Sequence, residues 1–136
     1  APGTLKRRTP DGRSACIGVL GLLALPAAGP VAAQTPDSLP EGVTEAMIGQ
    51  GRKIFRDPGL CHACHGQAGK GGVGPDLTDR QWLHIDGSYQ AIAAQIRTGV
   101  PADKSKSGAI MPPRGGASIS EDNLQAVAAY VWSLSR

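Results

Sequence analysis

Two thiols separated by two residues and followed at once by an imidazole occur at Cys61-His62-Ala63-Cys64-His65. Three chemistries use such a pair of cysteines. A structural zinc ion needs two further ligands, usually a second matched pair; the chain offers only Cys16, far upstream, and a lone His84. A redox dithiol of the thioredoxin type wants a strand before it and a long helix after it, whereas Cys64 runs into Gly66-Gln67-Ala68-Gly69-Lys70-Gly71-Gly72-Val73-Gly74, which reads as loop. The third chemistry fits. Cysteines one helical turn apart can add across the two vinyl groups of one porphyrin, which leaves the adjacent histidine under the iron. The expected cofactor is one haem c, covalent through Cys61 and Cys64, with His65 as its proximal ligand.

The chain around this motif is 136 residues long, enough for one small domain. Lys6, Arg7, Arg8 and Arg13 precede an apolar run from Ala15 to Leu25, and Val31-Ala32-Ala33 before Gln34 has the small-residue pattern of a signal-peptidase site. The run would rise only about 16 Å as a helix, too little to cross a bilayer. Residues 1–33 are therefore expected to be an export signal, residues 34–43, with Pro36 and Pro40, a flexible leader, and residues 44–136 the domain. The expected location is the periplasm or an equivalent exported compartment, with no stable membrane insertion after cleavage. The formal charge of +3 belongs to the signal: without residues 1–33 the chain keeps ten basic and ten acidic side chains. The basic balance therefore gives no reason to expect nucleic acid as a partner. Removing the signal also leaves Cys61 and Cys64 as the remaining cysteines, so no disulfide framework staples the fold, and with a single phenylalanine the porphyrin must supply much of the apolar centre.

The elements that must position the motif read as helices. Thr44, with Glu45 in the first turn, predicts a helix to about Arg56, where Asp57-Pro58-Gly59 stops it; its apolar stripe is Met47, Ile48, Gly51, Ile54 and Phe55. Gly51 in mid-helix suggests that another backbone crosses closely there. A short helix is expected from Asp79 to Trp82, and a better one from Tyr89 to Thr98 between Ser88 and Gly99, with Ala91, Ile92, Gln95 and Ile96 turned inward or along its flank. Val100 to Ala117 is loop by composition and contains Met111. The last helix begins after Ser120, with Ile119 stapled to Leu124 and with Val127, Ala128 and Val131 at helical spacing. No run alternates like a strand. The expected fold class is all-α, three to five helices wrapped with long loops around one covalent haem.

With these residues in view, the stretch from about Glu45 to Arg136 resembles a class I cytochrome c. In that family an N-terminal helix crosses a C-terminal helix, a glycine and an aromatic of the first meeting an aromatic of the last; Gly51, Phe55 and Tyr130 match these roles. The resemblance implies that the carbonyl of Pro75 accepts a hydrogen bond from His65, that Leu77 packs on the haem and that Met111 binds iron from the far side. The order Asp79-Arg80-Gln81-Trp82, Gly87-Ser88, Ile96-Arg97-Thr98-Gly99, Met111-Pro112 is similar to haem c subunits of some bacterial terminal oxidases and to their soluble relatives. Met111 lies in a hydrophilic loop stiffened by Pro112 and Pro113, where a core role makes little sense. His84 and an open or water-bound site are the other readings of the sixth position. Trp82 could reach a haem propionate through its indole N–H or be a half-buried core residue; Arg80 and Arg97 are candidates for propionate pairing. His62 and Ala63 are expected to be spacers, His62 facing solvent.

A His65/Met111 pair leaves no site for substrate and is expected to serve electron transfer rather than an enzyme reaction. The sequence shows no catalytic carboxylate pair, serine triad or phosphate loop. The expected function is a monomeric, exported carrier of single electrons to or from a membrane oxidase, reductase or dehydrogenase. The alternatives are a haem subunit fixed in a larger complex and a ligand-binding or peroxidatic protein with an open sixth site. Arg52, Lys53, Arg56 and Lys70 near the motif, and Lys104, Lys106 and Arg114 around Met111, could serve docking or be plain solvated charge.

Overall fold

The computed structural model describes residues 38–136; the expected export signal and the first residues of the leader lie outside them. Four α-helices occur in this span: α1 Glu45–Arg56, α2 His62–His65, α3 Tyr89–Thr98 and α4 Glu121–Leu134. No strand forms among the described residues, and the only sheet-like feature is an isolated antiparallel bridge between Val100 and Met111. Each long helix starts on the expected side-chain cap. Thr44 accepts from the Met47 N–H, Ser88 from that of Ala91 and Ser120 from that of Asn123, satisfying donors that the first helical turn leaves unpaired. Between Trp82 and Tyr89 the chain bends without a helix, and the expected turn of helix from Asp79 to Trp82 is absent. The Asp79 carboxylate instead accepts from the Gln81 N–H, a local side-chain turn that competes with helix formation. The leader is not wholly detached either: Val43 is buried and Leu39 packs against the core.

The core lies where α1 and α3 pack on α4. Leu124, Val127, Ala128 and Ala129 of α4 are almost completely inaccessible, and the buried residues of α4 extend around it to Ala126, Tyr130 and Val131. Small residues on α4 let α1 come close. A Cβ placed on Gly51 would run into the carbonyl of Ala126 and lie 2.9 Å from the Tyr130 Cβ, so glycine is required there by contact with another backbone. One turn on, Phe55 meets the edge of Tyr130, ring centroids 5.3 Å apart and planes at 71°, a geometry that aligns ring quadrupoles favourably. Ile119 and Leu124 are both buried in this cluster, as the staple requires.

Ahead of α4, a cluster of polar side chains joins the helices at their ends. Glu121 accepts from Arg97 of α3, from Arg114 at 3.0 Å and from Gln125 at 2.9 Å, and Gln125 in turn accepts from the Tyr89 hydroxyl at 2.7 Å. The Arg97 guanidinium, followed by the Gln125 and Arg114 hydrogen bonds, holds the Glu121 carboxyl down to about 2 from its ordinary value of 4.5.

Both contacts can be probed by thermal unfolding. Gly51→Ala should destabilise the protein by about 1–3 kcal/mol through overpacking, despite the ~1 kcal/mol that alanine gains in helix propensity; the melting temperature should fall by several degrees, and a rise would contradict the backbone contact. Because Glu121 titrates lower in the folded than in the unfolded chain, its contribution is complete above pH 4.5 and is lost as pH falls toward 2. The difference in melting temperature between wild type and Glu121→Gln should therefore be largest near neutrality and shrink across that window.

Candidate haem site

The site is built from α2 outward. Cys61 precedes the helix and His65 ends it, the His65 N–H donating to the Cys61 carbonyl at 3.0 Å. Gly66, at φ 77°, ends the turn. The glycine-rich loop then folds back on the helix end: the Gly71 N–H donates to the His65 carbonyl at 2.8 Å, and the Gly74 N–H to the Cys64 carbonyl at 2.9 Å. These bonds satisfy carbonyls that a helix end leaves free, and they bring Pro75 to the imidazole. His65 Nδ1 lies 2.9 Å from the Pro75 oxygen. A carbonyl can only accept, so Nδ1 carries the proton and Nε2 keeps its lone pair for a metal. Gly74, which reads as ordinary loop in the sequence, is a further requirement of this wall: a Cβ there would stand 2.9 Å from His65 Cε1.

His65 is buried, and it lines a cleft shared with Cys61, Cys64, Pro75, Leu77 and Trp82, with Met111 on the same surface. The floor is Phe55, Ile92, Val127 and Val131, so the core of the helix packing is also the base of the cleft. The space among these residues, the open mouth included, is about 1150 Å³. Met111 is held by two backbone hydrogen bonds to Val100, at 2.8 and 3.0 Å. Behind it Gly99 admits the Met111 carbonyl and Pro112, whose carbonyl carbon would lie 2.8 Å from a Cβ at Gly99. Trp82 lies with its indole against Gly87. His84 also lines the cleft, its Nε2 accepting from the Lys106 N–H at 3.3 Å.

Several residues stand elsewhere than the sequence suggests. Arg80 and Arg97 do not line the cleft. The Arg80 Nε donates to the Ser135 carbonyl at 3.1 Å and Arg97 pairs with Glu121. Arg114, expected among the free charges near Met111, is committed to the Ile119 and Ser120 carbonyls and to Glu121. Lys70 donates to Thr78. His62 is half-buried rather than solvent-facing, and its Nδ1 is shielded with no hydrogen-bond partner.

The donor set and the space together fit a haem. Cys61 and Cys64 are both free thiols. Burial, with a smaller contribution from the charge of Cys64, pushes the Cys61 thiol up to about 11. Among the described residues no group of three or more His, Cys, Asp or Glu could hold a metal ion, which a zinc site would require. What remains is a pair of thiols and a correctly oriented imidazole on the wall of an apolar cleft.

Comparisons with known proteins agree with this geometry. Residues 46–131 match the family described as cytochrome C oxidase, cbb3-type, subunit III. The chain is 37% identical over 78 residues to the cbb3-type cytochrome c oxidase subunit FixP of Rhizobium etli, covering 55% of this chain and 26% of that protein. It is 39% identical over 92 residues to FixP of Sinorhizobium medicae, covering 65% and 30% respectively. Subunit CcoP of Rubrivivax gelatinosus is 35% identical over 86 residues, covering 62% and 25%. The chain thus spans only 25% to 30% of the length of these relatives. Among solved structures, cytochrome CL of Methylophaga aminisulfidivorans MPT shares the fold, with a TM-score of 0.54, 21% identity and coverage of 68% of this chain and 56% of that one. The family match spans α1, the thiol pair, the cleft and most of α4, and the chain belongs to the cbb3-type cytochrome c oxidase subunit III family as a class I cytochrome that carries one haem c through Cys61 and Cys64.

Proposed function

We propose that this domain carries single electrons between exported redox partners, with His65 and Met111 as the axial pair of its haem. The observation that carries this reading is the shared cleft. One wall holds an imidazole whose Nδ1 is committed to Pro75 and whose Nε2 keeps its lone pair; the same cleft is lined by a methionine clamped by its own backbone to Val100. Bound haem supplies a one-electron Fe(II)/Fe(III) couple, and a thioether opposite an imidazole favours the ferrous state. The chain's own work is to keep both side chains fixed, to exclude water from the apolar floor and to leave an edge exposed. Leu60, Val73, Leu83 and Ile110 supply that edge. They line the cleft and remain 50%, 70%, 37% and 62% exposed, an apolar rim suited to brief contact with another protein. Export to the periplasm belongs to the same proposal, supported by the thiol chemistry and the N-terminal pattern; no helix among the described residues is long and apolar enough to cross a membrane.

The relatives favour a second reading. FixP and CcoP are oxidase subunits several times longer than the segment they share with this chain, so the domain could instead be a fixed haem module inside a membrane complex. A carrier should come off membranes in a salt wash, whereas a subunit should stay with the complex through detergent extraction and purification.

Met111→Ala tests the axial pair. The variant should retain covalent haem, lose the near-infrared ferric-iron-to-methionine charge-transfer band, and bind carbon monoxide rapidly when reduced. Its potential should fall by on the order of 100 mV, a fraction of the ~0.8 V range that axial ligands span. A spectrum identical to wild type would show that the sixth ligand lies elsewhere, with His84 the next residue to replace.

A further inference from the structure

We propose that Glu121 is a positioning residue for Met111. It grips the two arms of the Val100–Met111 bridge at once and so holds the methionine loop against the helices. This rests on the reading of Met111 as the sixth ligand. The bridge itself is backbone to backbone. Three residues before Val100 stands Arg97, and three residues after Met111 stands Arg114; both guanidinium groups end on the Glu121 carboxylate.

The geometry shows why the loop needs such a clamp. After Pro112 and Pro113 the chain reverses through Arg114 at φ 55° and Gly115 at φ 67°. A side-chain-bearing residue in the left-handed region persists only where its surroundings over-determine it, and at Arg114 they do. Nη1 donates to the carbonyls of Ile119 at 2.9 Å and Ser120 at 3.3 Å, and Nη2 to Glu121 Oε2 at 3.0 Å. Arg97 occupies the same carboxylate through Nη2 and, at 3.4 Å, Nε. Gln125 Nε2 donates to Oε1 at 2.9 Å and ties the cluster to Tyr89 at the start of α3. One carboxylate in the first turn of α4 therefore joins both ends of α3 to the loop that follows Met111. The reversal also closes the cleft beside the first thiol: a Cβ on Gly115 would stand 3.1 Å from the Gly59 carbonyl and 3.9 Å from Cys61 Sγ. Loosening the clamp frees one flank of Met111 while the Val100 bridge holds the other, so the expected effect is weaker retention of the thioether rather than loss of the fold.

The test uses the haem-loaded protein as wild type, Glu121→Gln, Arg114→Gly and Met111→Ala, with Glu45→Gln as a first-turn acid of α1 outside the network. Arg114→Gly keeps a residue that accepts the left-handed backbone while removing the guanidinium, so it carries the test if Glu121→Gln fails to fold. Ferric protein is titrated with imidazole, which displaces a bound methionine, and the near-infrared band is recorded. Glu121→Gln and Arg114→Gly should each bind imidazole about threefold more tightly than wild type, as expected for losing partly exposed ion pairs, with a weakened band. Glu45→Gln should match wild type. Equal imidazole affinity across wild type, Glu121→Gln and Arg114→Gly, even with lowered melting temperatures, would make the network merely structural and overturn the proposal. A wild type without the band, or a Met111→Ala variant that keeps it, would instead sink the ligand assignment and the positioning role with it.

Discussion

The approach of Gly51 to the Ala126 carbonyl is the contact on which the rest of the molecule depends. It lets α1 sit against α4 at backbone distance, and that closeness places Phe55 on Tyr130 and aligns Val127 and Val131 beneath the cleft. Because α2 follows α1 after only a short turn, the position of α1 also decides where the two thiols and His65 stand. A side chain at residue 51 would push the helix away from its partner and carry the attachment site with it. The core itself takes three alanines from α4, with Phe55, Leu124 and Val127 as its largest fully buried side chains. Such a core is thin for a domain without disulfides, and a bound porphyrin completes it.

The two walls of the cleft are held in different ways. On the His65 side the contacts are local. Glycines at 66, 69, 71 and 74 let the chain double back so that its N–H groups cap α2 and the Pro75 carbonyl meets the imidazole. Asp76 continues this order, its carboxylate accepting from the Thr78 hydroxyl and backbone; those hydrogen bonds hold its pKa below the ordinary carboxylate value. On the Met111 side the contacts bring distant segments together. Met111 is hydrogen-bonded to Val100, just beyond α3, and its carbonyl packs against Gly99.

Charged residues show where reading by type goes astray. Arg80, Arg97 and Arg114 all look available in the sequence, as partners for propionates or for a docking protein. In the fold each finds a protein partner, Arg80 a backbone carbonyl through Nε, and Arg97 and Arg114 the Glu121 carboxylate. An arginine has five donors and a long stem, so neighbours in the chain do not tell which acceptor it will find. Apolar residues mislead less, because burying them needs only a face and not a partner: of the stripes predicted from spacing, Gly51, Ile54 and Phe55 on α1 and Leu124, Val127, Ala128 and Val131 on α4 are buried and Met47 and Ile48 partly so, with Ala93 and Tyr89 of α3 joining them. His62 is an intermediate case, shielded by packing that no local pattern announces.

By itself the sequence determined the attachment chemistry and the three long helices. Cys61, Cys64 and His65 are close in the chain, so their covalent order already carries the geometry needed to attach haem c. Thr44, Ser88 and Ser120 mark helix starts through bonds that span three residues. Only the tertiary structure decided that Met111 and His65 line one cleft, that Gly74 and Gly99 are glycines because other groups press against them, and that Glu121 gathers two arginines from different segments. Those facts rest on contacts between residues far apart in the chain. Local propensity does not encode such contacts, because which distant partners meet is settled when α1 and α3 pack on α4.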